Sequence, residues 1–221
     1  MENSVLFSTR LSLQVAFVST SLIVLSGIPL AYLLARRDFK GRDLLDMLCT
    51  LPLVLPPTVT GYYLIVLFGR KGVVGGLVYD WTGWSIMFTW YAAVLASYVV
   101  ALPLMIKTTR AAIESVDKTL INASYTLGHS EFDTALKVVL PLAKRGILAG
   151  TVLSFARAMG EFGATLMLAG NLPGRTDTMP IAIYSLTASG AWPEAHFMVV
   201  LMTVISGVFL YIASRYTKKI I

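Results

Sequence analysis

Charge is scarce in this chain. Of its 221 residues only 14% are Asp, Glu, Lys or Arg, against about a quarter in an ordinary soluble domain. So few charges cannot cover a water-exposed surface, and those present crowd into short stretches between long apolar runs. Cysteine is nearly missing as well: Cys49 is the only one and lies in an apolar run, so no internal disulfide can form. The pattern G-x-x-x-x-G-K-[ST] is absent, and the glycines of 69–76 do not reproduce it, so no phosphate-cradling loop of that kind is encoded. His129 and His196 stand alone, which leaves no metal-ligand cluster. No nucleophile–base pair is visible either. The reading is therefore not an enzyme, with no catalytic residues, no metal and no cofactor held by this chain.

What the sequence does have is hydrophobic length. Five runs, near 11–34, 47–68, 86–106, 147–169 and 196–214, match the roughly 20 apolar residues needed to cross a bilayer. Backbone groups in hydrocarbon must be bonded within their own segment, so each run predicts a helix. Strands would be shorter and alternate in polarity, which these runs do not. The expected fold is an all-α membrane protein, a polytopic bundle of about five transmembrane helices. It reads as one domain over 1–221, with no linker or internal repeat.

Basic residues set an orientation. Loops 36–46, 107–146 and 215–221 hold thirteen Lys and Arg, loops 1–10, 69–85 and 170–195 hold four, and Arg157 lies inside a run. That bias predicts the amino terminus outside and the carboxyl terminus in the cytoplasm. Trp81, Trp84, Trp90 and Trp192 then fall near the outer interface, where indole rings favour the headgroup region. The same bias accounts for the net charge of +6 without nucleic acid as a partner; the partner it implies is the lipid bilayer.

Two local features stand out within the apolar runs. The second carries Pro52, Pro56 and Pro57, and proline removes a backbone donor and crowds the preceding turn. A kink or break is expected there, either as packing or as a hinge facing a pathway. The segment 178–192 is apolar but too short to span, which suggests a re-entrant or interfacial helix.

The segment 107–146 is the only large loop on the basic side. Asn122-Ala123-Ser124 is followed after three residues by Gly128, and after nine more by Val138-Val139-Leu140-Pro141. Residues 119–127 can form a short helix, Gly128 permits the left-handed turn that ends it, and Pro141 is expected to redirect the chain into the membrane. This spacing resembles the E-A-A-x3-G-x9-I-x-L-P loop of ATP-binding-cassette importer permeases. The resemblance implies that Asn122, Ala123, Ser124, Leu127, Gly128, Leu140 and Pro141 couple the chain to a separate ATPase. Asn122 stands where Glu is usual, which removes a charge from that contact.

The fourth run contains Ser154-Phe155-Ala156-Arg157-Ala158-Met159-Gly160-Glu161-Phe162-Gly163-Ala164-Thr165, followed by Asn171-Leu172-Pro173-Gly174-Arg175-Thr176. With Arg36–Arg42, the 51–57 stretch and 68–72, it looks like the molybdate branch of that permease family. Arg157 and Glu161 are four apart, hence on one helix face. They read either as a pair locking helices together or as a positive charge on an oxyanion pathway with its partner. Gly160 and Gly163, with Gly170, suggest close helix packing, and Pro56, Pro57, Gly160 and Gly163 are candidate hinge or pathway positions.

From the resemblance follow the expected partners: a second copy of this chain, two cytoplasmic ABC ATPase subunits that bind ATP and Mg, and a periplasmic or extracellular oxyanion-binding protein. The expected location is the cell inner membrane, multi-pass. Tungstate, sulfate or thiosulfate are the alternatives to molybdate. A secondary anion transporter is the alternative of another class, against which stand the lack of an inverted repeat and the small number of intramembrane ionisable residues for ion coupling.

Overall fold

The computed structural model describes residues 2–219, and among them every regular element is a helix. Helix α1 (Glu2–Arg36) covers the first run and starts well before it, so residues 2–10 are helical rather than loop; Met1 lies outside the described residues. At its end Gly41 turns the chain with φ +95°. Arg42 then donates from Nε and Nη2 to the Leu34 carbonyl at 3.0 and 2.7 Å, satisfying an acceptor that a helix end leaves open.

The second run is two helices. α2 (Arg42–Val54) and α3 (Pro57–Phe68) part at Leu55-Pro56, where Pro57 occupies the first turn of the new helix. With 13 and 12 residues, each is only about 18–20 Å long at 1.5 Å per residue. Neither crosses a bilayer alone, and four other helical stretches have the length and apolarity to do so: Ser4–Arg36, Trp90–Glu114, Glu131–Met159 and Trp192–Ala213. α2 and α3 in series supply the fifth crossing.

After α4 (Gly75–Thr82) the chain runs through Phe88, held at φ +60°, into α5 (Trp90–Glu114), which replaces the expected 86–106 with a helix shifted by several residues. α5 is the hub of the bundle. Ala92, Ala93, Ala96, Ala101 and Met105 are buried on it, and α1 packs along one side of it. The other side is taken by α8 (Leu140–Met159).

Between α5 and α8 lie α6 (Lys118–Thr126) and α7 (Glu131–Thr134). The expectation that Pro141 redirects the chain is not met: helical structure is continuous from Glu131 to Met159. A π-turn at Ala135–Val139 precedes the proline, with the Leu140 N–H donating to the Ala135 carbonyl. The wider turn shifts the hydrogen-bond register just ahead of the proline, and there the continuous helix accommodates its ring and its missing donor.

The fourth run also divides, into α8 and α9 (Gly163–Ala169). The short apolar segment 178–192 forms α10 (Met179–Ala188), whose first N–H, on Met179, donates to Ser12 Oγ of α1 at 2.7 Å. α11 (Trp192–Lys219) closes the chain against α8, where Phe155 and Phe209 stack at 4.1 Å. Residues 215–219 of the expected last loop continue this helix, and 220–221 lie outside the described residues.

At the end of the bundle opposite the amino terminus, Asp46 of α2 bridges Lys107 Nζ at 2.9 Å and Arg110 Nη1 at 3.0 Å on α5. There too, Ser124 of α6 and Thr134 of α7 share a buried 2.9 Å hydrogen bond that seats α6 on the following segment. Ser124→Val should therefore orphan the Thr134 hydroxyl and cost about 1–3 kcal/mol, the usual penalty for an unsatisfied buried group. Thermal unfolding in detergent measures this, and Ser124→Val/Thr134→Val should lose less than the single change.

Candidate functional site

Two interrupted helices meet inside the bundle. α8 ends at Met159, the backbone leaves helical geometry at Gly160–Phe162, and α9 starts at Gly163. α3 starts at Pro57 after its own interruption, and the two new helices run side by side. A Cβ added to Gly163 would stand 3.0 Å from Pro57 Cβ, and one on Gly61 would stand 2.7 Å from Met167 Cβ and 3.0 Å from Ala164 Cα. The two backbones touch because both positions lack a side chain.

An interruption frees backbone donors, which cannot be left bare in an apolar interior. Here Glu161 supplies the remedy. Its Oε1 accepts the Ala164 N–H at 2.8 Å, capping the first turn of α9, while Oε2 lies 2.8 Å from Arg157 Nη2. That second approach balances charge without an aligned hydrogen bond. Glu161 is 2% exposed, whereas the Arg157 side chain is 29% exposed. The carboxylate is thus structural on one oxygen and charge-paired on the other. Gly160, by contrast, has room for a Cβ, and Gly170 ends α9 at φ +71° beside Phe88; of the three near-regular glycines only Gly163 lies in the contact between α3 and α9.

A second assembly sits at the basic end. Asp117 caps α6, accepting the Thr119 N–H at 2.8 Å; that backbone bond, aided by the Thr119 hydroxyl, holds its carboxyl below the ordinary range. Gly128 ends the helix at φ +84°. Its N–H donates to the Tyr125 carbonyl and that of His129 to Ser124, the paired bonds of a Schellman motif. Ser130 then caps α7 by accepting the Asp133 N–H at 3.1 Å. Glu131 accepts a two-pronged contact from Arg37, Nε at 2.9 Å and Nη2 at 2.5 Å, tying this unit to the end of α1.

Within that unit the sequence-derived residues separate. Asn122, Ala123, Leu127, Gly128 and Pro141 are exposed, Leu140 is half-buried, and Ser124 is buried against Thr134. Further apolar side chains that spacing did not single out are exposed in the same unit: Leu120, Tyr125, Phe132 and Leu136 at 49, 40, 73 and 51%, with Leu127 at 79%. The available signal was single apolar residues scattered among polar ones, in a loop that lies outside every long apolar run. No group of three or more His, Cys, Asp or Glu converges among the described residues.

Removing Glu161 strips both a cap and a counter-charge, so Glu161→Ala should cost about 3–5 kcal/mol, the range for breaking one side of a buried pair. Arg157→Ala spares the cap and should cost less. In Arg157→Ala/Glu161→Ala part of the loss should return, since no unpaired charge remains. Unfolding midpoints of the three variants in detergent give the order, and equal losses in all three would contradict it.

The chain matches the family model described as binding-protein-dependent transport system inner membrane component over residues 27–219. It is 47% identical over 176 residues to the molybdenum transport system permease protein ModB of Escherichia coli K12, covering 80% of this chain and 77% of that protein. To ModB of Haemophilus influenzae it is 41% identical over 210 residues, covering 95% and 92%. Among solved structures, an inward-facing MetNI methionine ABC transporter chain superposes with a TM-score of 0.80 at 19% identity, covering 100% of this chain and 98% of that one. A chain of the bacterial alginate ABC transporter in complex with alginate-bound periplasmic protein superposes with a TM-score of 0.78 at 17% identity, covering 97% and 78%. The overall fold is thus shared with chains of ABC transporters named for methionine and for alginate. The chain is a member of the binding-protein-dependent transport system inner membrane component family.

Proposed function

We propose that this chain is the permease subunit of an ATP-driven importer for molybdate. The observation that carries this is its likeness, over most of its length, to permeases named for molybdenum transport. In this reading two copies form the pathway, with amino termini outside. Two ABC ATPase subunits, which hold ATP and Mg, dock on the cytoplasmic side at 119–133. An external binding protein delivers the oxyanion to the opposite end. The chain itself holds no cofactor and performs no hydrolysis.

The docking surface in this reading is wider than the motif. Asn122, Ala123, Leu127 and Gly128 are exposed, and so are Leu120, Tyr125, Phe132 and Leu136, apolar side chains of the sort that an interface covers. Ser124, buried against Thr134, supports this surface from behind, while Leu140 and Pro141 begin the helix that leads away from it. Closing of the ATPases moves α6, and two connections pass that movement inward: the Arg37–Glu131 fork to α1 and the unbroken run of helix into α8.

At the far end of α8 lies the crossing of the interrupted helices, where Pro56, Pro57 and Gly163 provide the hinge. Arg157, partly exposed, supplies positive potential to the pathway, and Glu161 tempers it. A pathway must attract its ion without retaining it, and a paired guanidinium does so better than a free one. Selection among tetrahedral dianions then rests with the binding protein.

Gly128→Val places a β-branched residue at a left-handed position. Basal ATPase activity of the reconstituted complex should persist while ATP-dependent uptake falls about tenfold, the consequence of roughly 1.4 kcal/mol of strain on the coupled state. Phe132→Asp should abolish co-purification of the ATPase. Cargo is decided by parallel uptake of molybdate, tungstate, sulfate and thiosulfate with the partner binding protein present. Preference for sulfate would overturn the molybdate assignment, and uptake without any ATPase would overturn the class.

A further inference from the structure

At the amino-terminal end of the bundle, a cavity of about 520 Å³ opens between the start of α1, the start of α5 and the loop after α9. Arg10 and Arg175 both line it, with Gln14 and Thr89. Neither guanidinium joins an ion pair among the described residues. No carboxylate lines the cavity. The nearest in sequence, Asp177, accepts from Ser8 Oγ and faces a separate cavity of about 160 Å³. Two cations from distant parts of the chain, Gly174 beside one of them, and no counter-charge describe a seat for an anion.

The remaining walls are wrong for a small hydrated ion. Phe7, Leu11, Phe88 and Trp90 are apolar or aromatic, and Tyr91 is shared with a second cavity of about 730 Å³. That second cavity is lined by Leu22 and Leu25 on α1 and by Val94, Leu95 and Tyr98 on α5. On α1 the lining residues of both cavities keep to one side of the helix at 100° per residue. The two cavities therefore form one course, cationic at the end of the bundle and apolar along the α1–α5 groove. From Arg10 to Leu25 it extends about 22 Å at 1.5 Å per residue. One leaflet, from phosphate to mid-plane, is about 20–22 Å, half of the 40–45 Å bilayer.

From this match of charge, polarity and length we propose that the α1–α5 course is a binding site for one anionic phospholipid, its phosphate between Arg10 and Arg175 and an acyl chain along Leu22, Leu25 and Leu95. The site does not depend on what the transporter carries. It lies in the leaflet of the amino terminus, and it explains why two arginines stand together unpaired at a membrane interface.

The test uses the full-length chain, purified in mild detergent, stripped of lipid and titrated with phosphatidylglycerol or phosphatidylcholine under native mass spectrometry. Phosphatidylglycerol should be retained about tenfold better, and Arg10→Gln/Arg175→Gln should erase that preference while the circular dichroism stays unchanged. Arg10→Lys/Arg175→Lys should keep part of it, and Leu25→Trp, which fills the groove, should weaken retention of both lipids. Millimolar molybdate or inorganic phosphate should not displace the lipid; displacement would make the cavity a soluble-anion site and overturn the proposal. So would undiminished preference in the double-glutamine variant, or cross-linking of Leu25→Cys between two copies in a Cys49→Ser background.

Discussion

A helix broken inside a membrane must find new partners for the amides it releases, and this molecule is organised around meeting that demand twice at one place. Proline resolves it at α3, since Pro57 brings no donor to the first turn. At α9 a buried carboxylate resolves it, and the charge so introduced is balanced by Arg157 one turn earlier. Each remedy then constrains its surroundings. The proline needs a thin neighbour, met at Gly163, and the carboxylate needs a cation close by in an environment that would otherwise exclude one. The crossing cannot be altered at one residue without disturbing the others.

Around this point the load is unevenly shared. α5 is enclosed by α1 and α8, whereas α2 contributes no buried residue at all and α11 very few. Hydrophobicity drives little of this, because lipid is as apolar as leucine. What holds the outer helices is specific: Asp46 between two cations, the Arg42 contact with Leu34, and the stacked Phe155 and Phe209. The outward faces of α2 and α11 are exposed in the single chain.

Much of this was legible in the residues. Apolar length gave the crossings, and the glycine at 128 marked a helix end that the structure closes with a Schellman pair. The tandem prolines marked the division of the second run. Other features depend on contacts that no local pattern carries. Arg157 and Glu161 announce a pair by their spacing, but the cap on Ala164 exists only because one helix stops at Met159, between the two, and another starts at Gly163. Ser124 occupies a motif position yet faces inward, because its hydroxyl finds Thr134 ten residues later. Pro141 has the local character of a breaker, and the turn that accommodates it lies upstream, in residues of ordinary helical propensity.

That π-turn at Ala135–Val139 has a mechanical meaning of its own. One surplus residue is accommodated in an otherwise regular rod, so the face presented on its amino-terminal side is turned by about 100° from where an uninterrupted α-helix would put it. The angle at which the exposed unit meets the membrane portion is therefore set by this one turn, and the Arg37–Glu131 fork holds it there.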